Sequence, residues 1–125
     1  MTKSQRIIPV YTTPGDLGVY LVYPYLYNPR GEWVGWVTAG REVYSVLGYY
    51  VGWLTDDPRI FRRRSYDFSK PRLTPPSPQP RIRVPASVPL PPMMAELSFT
   101  TIDVLEEEPR RLSTIDADDM REDMD

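Results

Sequence analysis

The sequence predicts an all-β domain: a small, shallow, pseudo-four-fold barrel of β-hairpins, followed by a proline-rich and then acidic C-terminal tail. Three observations predict it. First, Gly31-Glu-Trp-Val34-Gly35-Trp36-Val37-Thr38 returns seventeen residues later as Gly48-Tyr-Tyr-Val51-Gly52-Trp53-Leu54-Thr55, and such short-period self-similarity marks one supersecondary unit used several times. Second, side chains within each copy alternate in character as they do along a strand, with turn residues between the runs and no helical period. Third, all seven glycines lie between Gly15 and Gly52 and all nine tyrosines at or before Tyr66, whereas eleven of the fifteen prolines lie from Pro58 onward.

Residues 6–11 read as an N-terminal strand that helps to complete the ring. The repeat then extends in both directions: Val43-Tyr44 falls on Ile60-Phe61, and Leu17-Gly18 falls on Val34-Gly35. This defines units 14–30, 31–47 and 48–64. Each is expected to be a hairpin, with Trp33, Gly35 and Val37 on one face and Val34 and Trp36 on the other. The second strand of the middle unit covers 42–46. Thr38-Ala39-Gly40-Arg41 forms the turn, with Gly40 supplying a positive φ, and Asp56-Asp57-Pro58 does so in the next unit. Gly18, Gly35 and Gly52 are expected to be equivalent mid-strand positions, where a neighbouring ring approaches closely or where a pocket mouth is widened.

The hairpin domain spans residues 5–66. A unit of about 60 residues is marginal on core size alone, so ring closure, a returning segment or oligomerisation has to compensate. Residues 67–93 cannot form helix or sheet interior; they are a polyproline-type linker, free or wrapped around the barrel with Val84, Val88, Leu90 and Met93. Residues 94–105 alternate well enough to return as a strand. Residues 106–125 are acidic and poor in apolar side chains, and are expected to be disordered or briefly helical after Ser113.

There is no Cys and no His. These absences remove disulfides, thiolate zinc sites and most nucleophile–base pairs, so neither an enzyme nor a cofactor or metal centre is expected. Residues 1–95 carry twelve Lys and Arg against six Asp and Glu, and residues 96–125 carry three against eleven. A basic body beside an acidic tail suits an anionic partner, or a tail folded back over the basic face. No apolar run reaches the roughly 20 residues of a membrane span, and the start lacks an apolar stretch of signal-peptide length. A cytoplasmic protein is expected.

The glycine-aromatic pattern of Tyr25-Leu-Tyr27-Asn-Pro-Arg-Gly31-Glu-Trp-Val34-Gly35-Trp36-Val37 and Gly48-Tyr-Tyr-Val51-Gly52-Trp53-Leu54 resembles the β-flower proteins. These are small bacterial proteins in which hairpin petals surround a shallow barrel, and this chain looks like their four-fold variety. The resemblance covers about residues 7–65. It implies a fold and brings no catalytic residues with it. A distant architectural likeness to phosphoinositide-binding tubby-type domains is an analogy of fold alone.

Two candidate sites follow. Trp36, Trp53, Val34, Val51 and Tyr44 are read as one face, either plain core or the lining of a cup for a small apolar or amphipathic, lipid-like ligand. Arg59, Arg62, Arg63 and Arg64 form the densest basic cluster, suited to phosphate groups or to guarding a sheet edge; nucleic acid is disfavoured because the acidic tail competes. Arg72-Leu-Thr-Pro75-Pro-Ser-Pro78 has the form of a basic PxxP ligand for an aromatic groove. The expected function is a non-enzymatic ligand-binding module, with a protein scaffold using the hairpin rims and proline-rich tail as its rival.

Overall fold

Turn chemistry repeated at intervals sets the architecture. In the computed structural model, which describes residues 6–116, five turns share one scheme, starting at Thr12, Asn28, Thr38, Ser45 and Thr55. The backbone N–H of the first residue donates to the carbonyl four residues on, and its side-chain oxygen accepts the N–H of that same residue. In four of them the fourth residue has positive φ: Gly15, Gly31, Arg41 and Gly48. This is a type I turn closed by a left-handed residue, a common hairpin connection. In the middle unit the left-handed residue is therefore Arg41, at φ 67°, and Gly40 is not needed for it.

Between these turns run β1 (Ile8–Tyr11), β2 (Leu17–Val22), β3 (Tyr25–Tyr27), β4 (Trp33–Val37), β5 (Glu42–Ser45), β6 (Tyr50–Leu54), β7 (Ile60–Arg63) and β8 (Thr101–Asp103). They form one antiparallel sheet in sequence order, curled into a half-barrel. Residues 94–105 supply β8, which pairs with β7. Among the described residues no ladder joins β8 to β1. The expected ring is thus not closed by a ladder; one backbone hydrogen bond, from Tyr11 N to the Pro58 carbonyl at 3.2 Å, and side chains bridge the gap instead.

β-Bulges correct the face assignment. Tyr27 opposes Trp33 and Leu26 opposes Gly35, so Val34 is an extra residue; Val51 is the extra residue opposite Tyr44 and Val43 in the same way. A bulge puts two consecutive residues on one side of the alternation. Val34 and Val37 consequently enter the inner core, while Trp33 and Trp36 belong to the outer cluster. The bulge of the first hairpin falls at Gly18. Gly18 is therefore the counterpart of Val34 and Val51, not of Gly35 and Gly52, because the first structural repeat, Val10 to Leu26, spans sixteen residues and the next two span seventeen.

Val10, Leu26, Val43 and Ile60 occupy matching positions on β1, β3, β5 and β7, and each is wholly buried, at 0 % exposure. Full burial of such a side chain is worth about 1.5–3 kcal/mol. The open side of the half-barrel is filled by the chain itself. Residues 106–116, expected to be disordered or briefly helical after Ser113, continue helix α1 (Val104–Glu107) and a 3-10 turn (Pro109–Arg111), and residues 115–116 are helical. Asp103 caps α1 by accepting from Glu106 N, and Val104, Leu105 and Leu112 enter the inner core. Residues 117–125 of that expected tail lie outside the described residues.

Candidate functional site

The five residues expected to line one cup fall on two faces. Val34 and Val51 are sealed in the inner core at 1 % exposure, beneath the side that Leu105 and Leu112 fill. Trp36, Tyr44 and Trp53 lie on the outer face. Trp36 stacks on Tyr44 with centroids 5.1 Å apart and donates from Nε1 to the Ser45 carbonyl at 3.1 Å. Trp53 meets Phe61 edge-on at 6.2 Å and opposes Glu42 across the ladder.

The aromatic contacts continue from Tyr44 to Tyr50, Tyr66 and Phe68. Lys70 lies over Tyr50 and forms an ion pair with Glu42, and its hydrogen bond to Glu42 raises the Lys70 pKa. Burial raises Tyr44 and Tyr50, and the Glu42 charge adds to it. All three groups therefore keep their protons at neutral pH.

Strand alternation separates buried Arg62 from exposed Arg63, and Arg59 is buried just before β7 by its own partners. Arg59 and Arg62 are buried, at 2 % and 4 % exposure, and both are spent on the protein itself. Arg59 donates Nε and Nη2 to Asp57 Oδ2, Nη1 to Thr13 Oγ1 and Nη2 to the Ala95 carbonyl. Burial pushes the Asp57 carboxyl up, but the Arg59 and Thr55 hydrogen bonds outweigh it and leave its pKa lowered. Arg62 grips Glu108 with two hydrogen bonds, 2.8 and 3.1 Å, the bidentate fork that guanidinium favours. Those bonds, with help from Arg111, bring the Glu108 pKa down to about 2. Phe68 lies between the Arg62 and Arg111 guanidiniums, 4.9 and 4.7 Å from its centroid.

Arg64 engages Glu107 and the Phe99 ring and carbonyl. Arg63 is exposed and has no side-chain partner among the described residues. Three of the four are thus paired within the chain, Arg59 with Asp57, Arg62 with Glu108 and Arg64 with Glu107, and Arg63 is left exposed. A cleft of about 430 Å³ lies beside it, lined by Glu107, Glu108, Pro109, Arg110 and Arg111. No group of three or more Asp, Glu, His or Cys is placed to hold a metal ion among the described residues.

Of the two courses expected for residues 67–93, free or wrapped around the barrel, residues 70–93 take the wrapped one, and what sequence reading did not supply is where they attach. They run as an extended belt along the rim that carries the turns at Thr12, Asn28 and Ser45, visiting those turns in reverse order. Leu73 N donates to the Gly48 carbonyl at 2.9 Å and Ile82 N to the Gly31 carbonyl at 3.0 Å. Beside them Arg72 Nε donates to the Leu47 carbonyl, and Arg81 Nε to the Arg30 carbonyl at 2.9 Å. A third station follows, where Pro91 lies against Gly15 and the Pro89 carbonyl accepts from Tyr11 Oη at 2.6 Å.

The stations are Pro71-Arg72-Leu73, Pro80-Arg81-Ile82 and Pro89-Leu90-Pro91, nine residues apart. That period was the available signal, obscured by the abundance of proline. Arg72 is held in cis by the first station, which bears on its reading as the basic end of a PxxP ligand. Val84 and Val88 pack on the outer cluster, while Leu90 and Met93 face solvent. Family models, curated proteins and solved structures give no match to this chain.

Proposed function

We propose that the chain is a non-enzymatic binding module of the four-fold β-flower kind, acting as a scaffold that contacts other proteins. The four-fold reading is supported by Val10, Leu26, Val43 and Ile60, which recur at sixteen- and seventeen-residue intervals on alternate strands. The proposal sets the protein in the bacterial cytoplasm, on the resemblance and the cysteine-free sequence.

One observation carries the scaffold reading. Leu90, Met93 and Phe99 stand 92, 101 and 85 % exposed along the segment leading into β8, and large apolar side chains left in solvent within one short segment suit a contact surface. The inner barrel, by contrast, is occupied by Leu105 and Leu112. The test is affinity capture with the full chain beside its Leu90→Ser, Met93→Ser, Phe99→Ser variant. A stoichiometric partner held by the first and lost by the second is expected. Equal capture by both, or none by either, overturns the reading.

A second reading is favoured by Trp36 and Trp53, both half-buried on the outer face with Tyr44 and Phe61. This platform suits a small amphipathic, lipid-like ligand. Tryptophan fluorescence should then shift with a fatty acid or phosphoinositide added below its micellar concentration, and Trp53→Phe should reduce the shift. An unchanged spectrum removes this reading.

A further inference from the structure

The belt stations are three copies of one recognition device, and only two are satisfied. At the first two, a Pro-Arg-aliphatic segment makes a two-point attachment: the aliphatic residue's N–H to a turn glycine carbonyl, and the arginine Nε to the carbonyl before it. Those turn glycines, Gly48 and Gly31, are buried beneath it. A Cβ on either would collide with the Leu73 or Ile82 carbonyl, so the close approach of belt to turn depends on glycine.

The third turn has the same construction. Gly15 has positive φ, Thr12 holds the turn by the same bonds, and the acceptors at matching places are the carbonyls of Gly15 and Pro14. Here the belt presents Pro89-Leu90-Pro91. Pro91 has no N–H to give, and Leu90 has no guanidinium. Neither the Pro14 nor the Gly15 carbonyl accepts a hydrogen bond among the described residues, and Gly15 is only half-buried. Lifting this piece of belt leaves Leu90 and Met93 as they are, already in solvent, and breaks the Tyr11–Pro89 hydrogen bond.

We infer that the turn at Thr12–Asp16, where the belt lies without either of the two hydrogen bonds of the other stations, is a docking site at which an extended Pro-Arg-aliphatic peptide of a partner protein displaces Pro89–Pro91. The inference deepens the scaffold reading by naming a partner chemistry, and it rests on that reading only in taking the partner to be a protein. The arginine of the partner reaches the Pro14 carbonyl, the N–H of the following aliphatic residue reaches Gly15, and the proline before them holds the strand extended. Recognition is through backbone carbonyls on the protein side, so specificity lies in the peptide.

The probe is a fluorescein-labelled nonapeptide of sequence Pro-Gln-Pro-Arg-Ile-Arg-Val-Pro-Ala, that of residues 78–86, titrated into the full chain and followed by anisotropy. Saturable binding of one peptide per chain is expected, weakened about tenfold or more when the peptide's first Arg becomes Lys, because an ammonium does not reproduce the guanidinium's fixed Nε–H. The protein variant Leu90→Arg with Pro91→Leu completes the third station in cis and should abolish binding. Leu90→Arg alone should weaken it, and serves if the double variant does not fold. Absence of saturable binding, indifference to the Lys peptide, or undiminished binding by a folded Arg variant overturns the inference. A partner captured through Met93 and Phe99 would survive each of those results, so the two readings fail separately.

Discussion

Asp103 Oδ2 receives two hydrogen bonds from Thr13, one from its backbone N and one from its Oγ1, both at 2.7 Å. Asp103 ends the last strand and is wholly buried, and Thr13 lies in the first turn. The pair therefore ties together the two sheet edges that no ladder joins. Arg59 Nη1, donating to the same Thr13 hydroxyl, extends the clasp to the turn before β7.

Asp103→Ala should remove both bonds, leave Thr13 N without its partner and cost about 3 kcal/mol, the scale of lost charge-assisted hydrogen bonds in a buried site. Thr13→Val should cost less, about 1–2 kcal/mol. Urea unfolding of each single variant and of the double variant checks this. Strongly non-additive losses are expected, since both changes remove one interaction.

The glycines should divide sharply. A Cβ at Gly35 would lie 2.6 Å from the Tyr44 carbonyl oxygen, and one at Gly52 would strike the Phe61 carbonyl, both backbone atoms of a paired strand. Gly35→Ala and Gly52→Ala should each destabilise by about 2 kcal/mol or more, the range of overpacking. Gly40→Ala meets nothing nearer than 3.8 Å and should stay within about 0.5 kcal/mol of the parent. Thermal midpoints of the three variants decide the matter.

Acid should weaken the clasp between Arg62 and Glu108. The folded Glu108 pKa of about 2 lies below the ordinary 4.5, so its contribution is fully present above pH 4.5 and fades as pH falls toward 2. Glu108→Gln should be less stable than the parent at pH 7, and the gap should narrow across that window. A gap that stays constant from pH 6 to pH 2 would show that the charge contributes nothing.

Leu105 and Leu112 fill the half-barrel, and Leu105→Ala or Leu112→Ala should cost about 2–5 kcal/mol, as deletions in close-packed cores do. Truncation before residue 94 removes both, along with β8, and should lower the thermal midpoint by more than either substitution. An unchanged midpoint would show that residues 6–93 suffice.

The hairpins are legible in the sequence because their causes are local. Thr, Ser or Asn opens each of the five turns of the common scheme, and positive φ or proline closes it within five residues. Bulges are not legible in the same way. They are set by pairing with a distant strand, so Val34 read as a neighbour of Trp36 and Gly18 as a counterpart of Gly35. The arginines misled for a related reason: Arg62 and Arg63 are adjacent and chemically identical, yet one is buried on Glu108 and the other bathed in solvent. Glu108 lies 46 positions away, beyond the reach of any spacing argument. The belt left the faintest trace, because its anchors are carbonyl oxygens, which every residue possesses.

The belt retraces the hairpins in the direction opposite to their order in the chain, and this gives the molecule a mechanical polarity. Tension applied at the C-terminal side first pulls Leu112 and Leu105 from the half-barrel and strips β8. It then reaches the stations at Pro91, Ile82 and Leu73 singly, before loading any hairpin. Release of the Pro91 station and then of the Ile82 station each frees the nine residues to the next, about 30 Å of extended chain, so an optical-tweezers trace drawn from that end should show two small, even steps. The same force applied from the N-terminal side meets the β1–β2 ladder first and has no such graded path.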